Sequence, residues 1–424
     1  MDREKTTYEA LLRVYRGGYS GIVLDDILKN IADERDRAYI SRLFYGVLEK
    51  DAAFSYALNK LCSKSPKQTV GIVIRMGMYM LKYMDVPRYA AIDKTVNLAK
   101  KLGKGGACGF VNAVLRRFAD FQFPARGTVP DGVYLSVQSG APVWLTDRLC
   151  EEYGFDTAMK ILCAKPYEGT HIRRNKRLVS DEEFSEKLIK LNDYRPDSCK
   201  IGYYVTHNTM KQLPQSYFTP QSLASSLAAE YYLAALGRGR GRILDVCSAP
   251  GGKAVYMSEA GEFDIVASDK YEHRIKLIEK YAARMGADIK TVRNDACVLR
   301  DEWKNAFDLV VCDVPCSGLG VLNSKPDIAL NRSLSSMSEL SALQYRILRV
   351  SSQYVTEGGT LCYSTCTLLR EENEDVVGRF LKDGDFEIFT PVFPYGHVTD
   401  GALKLFPYDG TDGFFAVAFR RKKV

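Results

Sequence analysis

Histidine is scarce in this chain of 424 residues: four are present, His171, His207, His273 and His397, and they share no ligand spacing. A histidine-built metal centre is therefore not expected. No stretch approaches the ~18 consecutive apolar residues of a membrane-spanning helix. The opening Met1-Asp2-Arg3-Glu4-Lys5 is charged and has no apolar run behind it. A cytoplasmic protein with no membrane partner is the expectation. Eleven cysteines, odd in number and spread from Cys62 to Cys366, fit a reducing compartment better than a disulfide framework. The chain also lacks a G-x-G-x-x-G fingerprint, a Walker lysine, internal repeats and low-complexity tracts.

What the chain does have is length, apolar content and an uneven charge. At 424 residues it exceeds one ordinary core, so two or three domains are expected, and 46% hydrophobic residues suit a globular protein. The net charge is +7. Residues 1–125 carry 21 Lys and Arg against 13 Asp and Glu, whereas residues 211–424 carry 26 against 27. Between residues 60 and 117 there are 12 basic groups, and only Asp85 and Asp93 oppose them. A dense patch of one sign attracts polyanions. Lys100, Lys101, Arg116 and Arg117 are candidate phosphate contacts there, with a solvated helical face as the alternative.

Apolar spacing divides the chain into three. Residues 1–125 read as helical, as in Tyr8, Leu11, Leu12 and Tyr15 or Ile40, Leu43, Phe44, Val47 and Leu48. Residues 134–213 read as linker helices and a small α/β module, in which Arg173 and Arg174 are either contacts to a polyanion or plain surface charges. From residue 214 to 424, strands and helices alternate. The strand candidates are Arg242–Ala249, Asp264–Asp269, Ile289–Asn294, Phe307–Asp313 and Thr360–Ser364. The helix candidates are Leu223–Leu236, Ala254–Ala260, His273–Met285 and Ser338–Tyr354. Such alternation predicts an α/β fold with a doubly wound, Rossmann-like parallel sheet, whose ligands bind beyond the carboxyl ends of the strands.

The chemistry-bearing motifs all fall at those ends. Asp245 closes the first strand, and Cys247-Ser248-Ala249-Pro250-Gly251-Gly252-Lys253 turns from it into a helix. There the glycines admit a ligand close to the backbone and free N–H groups can receive a carboxylate. Asp269 is placed to grip ribose hydroxyls and Asp295 to meet an adenine amino group. Asp313-Val314-Pro315-Cys316-Ser317-Gly318 and Tyr363-Ser364-Thr365-Cys366 bring two thiols to one cleft. A thiolate can add to carbon 6 of a pyrimidine and so activate carbon 5 towards an electrophilic methyl group. Asp313 would stabilise the ring during addition, and Lys253 borders the same centre. Position alone leaves open which cysteine attacks. The pairs Cys312/Cys316 and Cys362/Cys366 prompt a check for a metal, but four strand residues separate such groups by roughly 13 Å, so none is expected.

These motifs resemble those of the bacterial 16S ribosomal RNA cytosine-5 methyltransferases of the Sun/RsmB (Fmu) family. Tyr217-Phe218-Thr219-Pro220-Gln221, the Cys247–Lys253 turn, Asp313–Gly318, Lys325-Pro326-Asp327, Thr365-Cys366 with Glu371-Glu372-Asn373, and Asp412-Gly413-Phe414-Phe415 carry the likeness. Upstream, Asp36–Tyr39, Tyr45–Leu48, Arg75-Met76-Gly77 and Val111–Arg117 are similar to a NusB-like RNA-binding domain. The resemblance implies an all-α NusB-like domain, a small α/β module and a methyltransferase sheet, acting as a monomer on 16S ribosomal RNA. It implies S-adenosyl-L-methionine at Cys247–Lys253, Asp269, Asp295 and Asp313, Cys366 as nucleophile and Cys316 as the group that releases the adduct. Methyl transfer to DNA, with Cys316 as nucleophile, and a non-catalytic RNA binder are the rival expectations. Ser248, where alanine is usual, and Ala329, where a lysine-tryptophan pair often follows, depart from the family pattern.

Overall fold

The structure is a computed structural model and describes residues 1–165 and 167–422. It divides into two compact units. One comprises Met1–Ala164 with Leu322–Arg332, the other Lys165–Val321 with Ser333–Val424. This differs from the three-part reading of the sequence. Helices Asp131–Ser139 and Val143–Tyr153 fold with the N-terminal helices, the first packing on Asp51–Leu61. The small sheet belongs to the same unit as the large one.

In the helical unit, each amphipathic helix turns one apolar stripe inward. Phe44, Phe54 and Phe118 are fully buried together with Leu11, Val47, Ile72, Met76 and Leu115. Asp2 and Asp33 cap the helices Arg3–Val14 and Glu34–Glu49 by accepting backbone N–H groups of the first turn. Gly77 explains the Arg75-Met76-Gly77 motif: a Cβ there would lie 2.8 Å from both Leu115 Cδ1 and Thr95 Oγ1. Only glycine lets helix Gln68–Tyr83 approach Arg88–Lys101 and Cys108–Ala119 this closely.

The segment 322–332 comes from far along the chain to complete this unit. Its 3-10 helix, Pro326–Asn331, buries Asp327, whose carboxylate accepts the Ser20 backbone N–H at 3.1 Å and the Ser20 hydroxyl at 2.5 Å. Ser20 opens the helix Ser20–Leu28, so Asp327 supplies the cap that this helix lacks locally. Leu330 packs on the helical core, and Asn323 Nδ2 donates to the Ile161 carbonyl at 3.4 Å.

The second unit holds two sheets. The small one is formed by β1 (Thr170–Arg174), β2 (Tyr194–Pro196), β3 (Tyr203–Val205) and β4 (Phe218–Pro220), in the order β2-β3-β1-β4 and antiparallel throughout. The large sheet contains β5 (Arg240–Asp245), β6 (Glu262–Asp269), β7 (Lys290–Arg293), β8 (Phe307–Asp313), β9 (Val355–Thr365), β10 (Phe386–Phe389), β11 (His397–Thr399), β12 (Ala402–Leu405) and β13 (Phe414–Arg421). Their order is β11-β12-β13-β9-β8-β5-β6-β7, with β10 against β13. From β7 to β9 the neighbours are parallel; from β13 outward they are antiparallel. The doubly wound sheet is therefore as expected, with an antiparallel extension that the strand candidates did not include. Order reverses at β5, between β6 and β8, and that switch point opens a crevice at the carboxyl ends.

Candidate active site

Four of the five parallel strands end at or beside a residue of the crevice. β5 ends in Asp245, β6 in Asp269 and β8 in Asp313, and the loop after β9 begins at Cys366. Beyond β5 the chain passes through a cis Ala249-Pro250 bond, and Gly251 adopts φ 102°, a left-handed conformation open chiefly to glycine. Helix Gly252–Ser258 starts there.

Asp245 is 1% exposed, and its Oδ1 has no hydrogen-bond partner. Burial pushes its carboxyl up to about 7, with the Asp313 charge nearby adding to the rise. Asn294 Nδ2 is likewise buried without a partner, while the Ser248 side chain tempers the rise at Asp245. Orphaned buried polar groups ask for a ligand. Asp245 ends β5, and Asn294 follows β7 in the same sheet. Asp269 is nearly buried and accepts the Tyr271 N–H at 3.2 Å, while Asp295 is held below the usual carboxylate range by Lys270, 2.9 Å away, and by the Cys297 N–H. Cys247 is different: burial drives its thiol well above the ordinary range, so it contributes backbone and packing.

Asp313 is fixed through both oxygens. Lys253 Nζ lies 2.6 Å from Oδ2, and Ser364 Oγ donates to Oδ1 at 3.0 Å, while Ser364 in turn meets the Tyr232 hydroxyl at 2.5 Å. Burial opposes the Lys253 charge, but Asp313, Asp245 and Cys366 outweigh it and raise its pKa. A permanent cation thus sits beside the acid and close to one thiol.

The two thiols are 3.1 Å apart, Sγ to Sγ, and the Cys366 N–H points at the Cys316 sulfur from 3.3 Å. Cys316 is pushed well above its ordinary value, first by its hydrogen bond to Cys366, then by burial and by the Cys366 and Glu372 charges. Gly320 and Gly413 let the surrounding loops close. Gly320 N–H donates to the Cys366 carbonyl at 2.9 Å and Gly413 N–H to the Gly320 carbonyl at 2.8 Å, where a Cβ on Gly320 would come within 2.2 Å of the Gly413 carbonyl oxygen. Among the described residues no group of three or more His, Cys, Asp or Glu is placed to hold a metal ion.

The basic candidates separate. Lys100, Lys101, Arg116 and Arg117 are all exposed on helices Arg88–Lys101 and Cys108–Ala119; Lys101 pairs with Asp2 at 2.7 Å. Arg174 is part-buried against Asp181. Arg173 corrects the expectation of an RNA contact: it is 1% exposed, with Nε bonded to Gln221 Oε1 and Nη1 to Glu259 Oε2, both at 2.6 Å. Neighbours on a strand face opposite ways, and this one faces in. Gln221, the last residue of the Tyr217–Gln221 motif, is thereby given a structural task. Sequence reasoning gave no task to Ser364, Glu372 or Asn373 although each lies inside a quoted motif, and Gln344, on helix Leu334–Ser352, carried no local signal.

A family model described as 16S rRNA methyltransferase RsmB/F matches residues 235–420, and one described as NusB family matches residues 4–120. A curated relative from Bacillus subtilis, named probable ribosomal RNA small subunit methyltransferase B, is 30% identical over 98% of this chain and 97% of its own. The ribosomal RNA small subunit methyltransferase B of Escherichia coli O127:H6 is 30% identical over 94% of each. Among solved structures, PH0851 is similar with a TM-score of 0.81 at 20% identity, covering 99% of both chains. NSun6 from Pyrococcus horikoshii is similar with a TM-score of 0.57 at 21% identity, over 66% of this chain and 97% of that one. Both show a shared fold.

Proposed function

The chain belongs to the ribosomal RNA small subunit methyltransferase B family, and from that premise we propose that it methylates carbon 5 of a cytosine in 16S ribosomal RNA through a covalent cysteine adduct. The observation that carries this reading is the pair of thiols 3.1 Å apart beside the Asp313–Lys253 pair. A second sulfur at that distance has no use in simple methyl transfer to oxygen or nitrogen. It has one where an adduct must be made and then dismantled.

S-adenosylmethionine would be held by the Cys247–Lys253 turn with Asp269 and Asp295, and would supply the electrophilic methyl group that carbon 5 takes up, its own sulfur leaving as the neutral thioether of S-adenosylhomocysteine. Cys366, whose anion the neighbouring Lys253 favours, adds to carbon 6, and the ring electrons move towards carbon 5. Asp313, oriented by Lys253 and Ser364, meets N3 and limits the charge that builds on the ring. Once Cys366 sulfur is a neutral thioether, the anion that most opposed ionisation of Cys316 is gone. Cys316 then loses its proton to water and takes the proton from carbon 5; the carbon 6–sulfur bond breaks and its electrons return to Cys366. The target base must leave any helical stack to reach the crevice. The exposed cations of the helical unit serve RNA capture, and the enzyme acts in the cytoplasm as a monomer.

The test is incubation with S-adenosylmethionine and 16S ribosomal RNA lacking the modification, followed by nucleoside mass spectrometry and denaturing gels. We expect 5-methylcytidine, and a protein–RNA adduct that accumulates in Cys316→Ala. A different methylated nucleoside, or an adduct in Cys366→Ala and none in Cys316→Ala, would overturn the reaction or the roles of the thiols.

A further inference from the structure

Glu372 and Asn373 follow one another at the end of a one-turn 3-10 helix, Arg370–Glu372, and both are 0% exposed. Side chains that polar are rarely buried so completely unless they bind something. Their hydrogen bonds lead to the two cysteine loops, one each. Glu372 Oε2 accepts the Ser317 N–H, just after Cys316, at 2.8 Å. It also accepts Gln344 Nε2 at 2.8 Å, and that amide donates at 3.0 Å to the Pro315 carbonyl, just before Cys316. Asn373 does the same for the other thiol. Its Oδ1 accepts the Thr365 hydroxyl at 2.6 Å, and its Nδ2 donates to the Thr367 carbonyl at 3.1 Å, on either side of Cys366. The Tyr363 hydroxyl bonds the Glu372 carbonyl and ties this turn back to β9.

We propose that Glu372 and Asn373 form a two-jawed positioning clamp that sets the distance between the thiols and divides their work, Asn373 presenting Cys366 for attack and Glu372 reserving Cys316 for the proton step. The argument rests on the placement of charge as well as on bonds. A carboxylate lies behind Cys316 and an ammonium, Lys253, lies towards Cys366. Like charge disfavours an anion and opposite charge favours it, so two chemically identical groups are given different tendencies. The neighbouring neutral Asn373 completes the asymmetry: it orders its loop without adding charge. Neither residue reaches the substrate in this scheme; both act through a cysteine.

This inference rests on the reading of the thiols given above, and the experiment separates the two. In a Cys366→Ser background, alkylation of Cys316 by iodoacetamide is followed against pH by peptide mass spectrometry, with and without Glu372→Gln. No RNA is needed. We expect the profile to move to lower pH by about one unit, roughly tenfold faster alkylation on its acid side. In the otherwise unaltered enzyme, Asn373→Asp keeps the acceptor for Thr365 and loses the donor to Thr367. It should reduce kcat by roughly 10- to 100-fold with KM for RNA unchanged, while Asn373→Gln, which retains both groups on a longer arm, should recover part of the loss. An unmoved Cys316 profile with Glu372→Gln, or a rise in KM with kcat intact for Asn373→Asp, would overturn the clamp. If Glu372→Gln does not fold, Gln344→Leu, which removes the link to the Pro315 carbonyl and leaves Glu372 in place, gives the second reading. A changed rate of Cys316 alkylation relative to the other cysteines supports the clamp, and an unchanged one refutes it.

Discussion

The helical unit and the catalytic crevice use the same charged residue types in opposite ways. Lys100, Lys101, Arg116 and Arg117 stand exposed, their charges spread over a surface and screened by water. Lys253, Asp313 and Glu372 are largely withdrawn from solvent, and each acts on a neighbour within a few ångströms. The first arrangement produces a long, weak and salt-sensitive attraction for a polyanion. The second produces strong local effects, because a desolvated charge is costly unless its partner is close. Capture and chemistry thus call for opposite degrees of burial.

That contrast can be broken, and the largest expected effect is at the proposed nucleophile. Cys366→Ala should lower methyl transfer by more than about 10⁴-fold, measured as labelled methyl incorporated into 16S ribosomal RNA, with S-adenosylmethionine binding retained by calorimetry. A smaller effect is expected at Asp245. Its folded carboxyl titrates near 7, above the unfolded carboxyl, so the folded chain holds the proton to higher pH. The stability tied to that proton is complete below about pH 4 and is lost as pH rises through 7. Asp245→Asn should therefore stabilise the donor-free protein at pH 8 by up to about 4 kcal/mol and leave it unchanged at pH 4, as read by urea unfolding at both values.

Asp313→Asn keeps the shape but loses the charge facing Lys253, and should reduce kcat by roughly 10²- to 10³-fold with little change in RNA affinity. The surface side of the comparison gives the smallest effect per residue. Replacing Lys100, Lys101, Arg116 and Arg117 together should weaken RNA binding and reduce its salt slope by about 0.7 for each phosphate that is no longer neutralised, measured by filter binding across a salt series. A slope that stays the same would show that these cations do not touch the RNA.

Much of the crevice was legible in the sequence because its signals are local. β8 and helix Leu223–Leu236 lie where the apolar runs placed them, and both thiol motifs follow strands as expected. What was missed depends on distance along the chain or on direction. Phe414–Arg421 is buried on both faces and has no alternation to mark it as a strand. The side on which Arg173 points could not be fixed without knowing the partner of β1. Glu371-Glu372-Asn373 was visible as a motif, but its hydrogen bonds reach loops that meet only after β8 and β9 pair.

The hydrogen bonds between Asp327 and Ser20 span 307 positions of sequence. Their consequence is genealogical. A module that must borrow a cap and a leucine from residues 322–332 cannot be exchanged by cutting the chain at residue 164 and joining another copy. Ser20 would be left with its N–H and hydroxyl unanswered, and the borrowed segment would lose its seat. Exchange would have to carry both pieces at once, so the two stretches are expected to be inherited together.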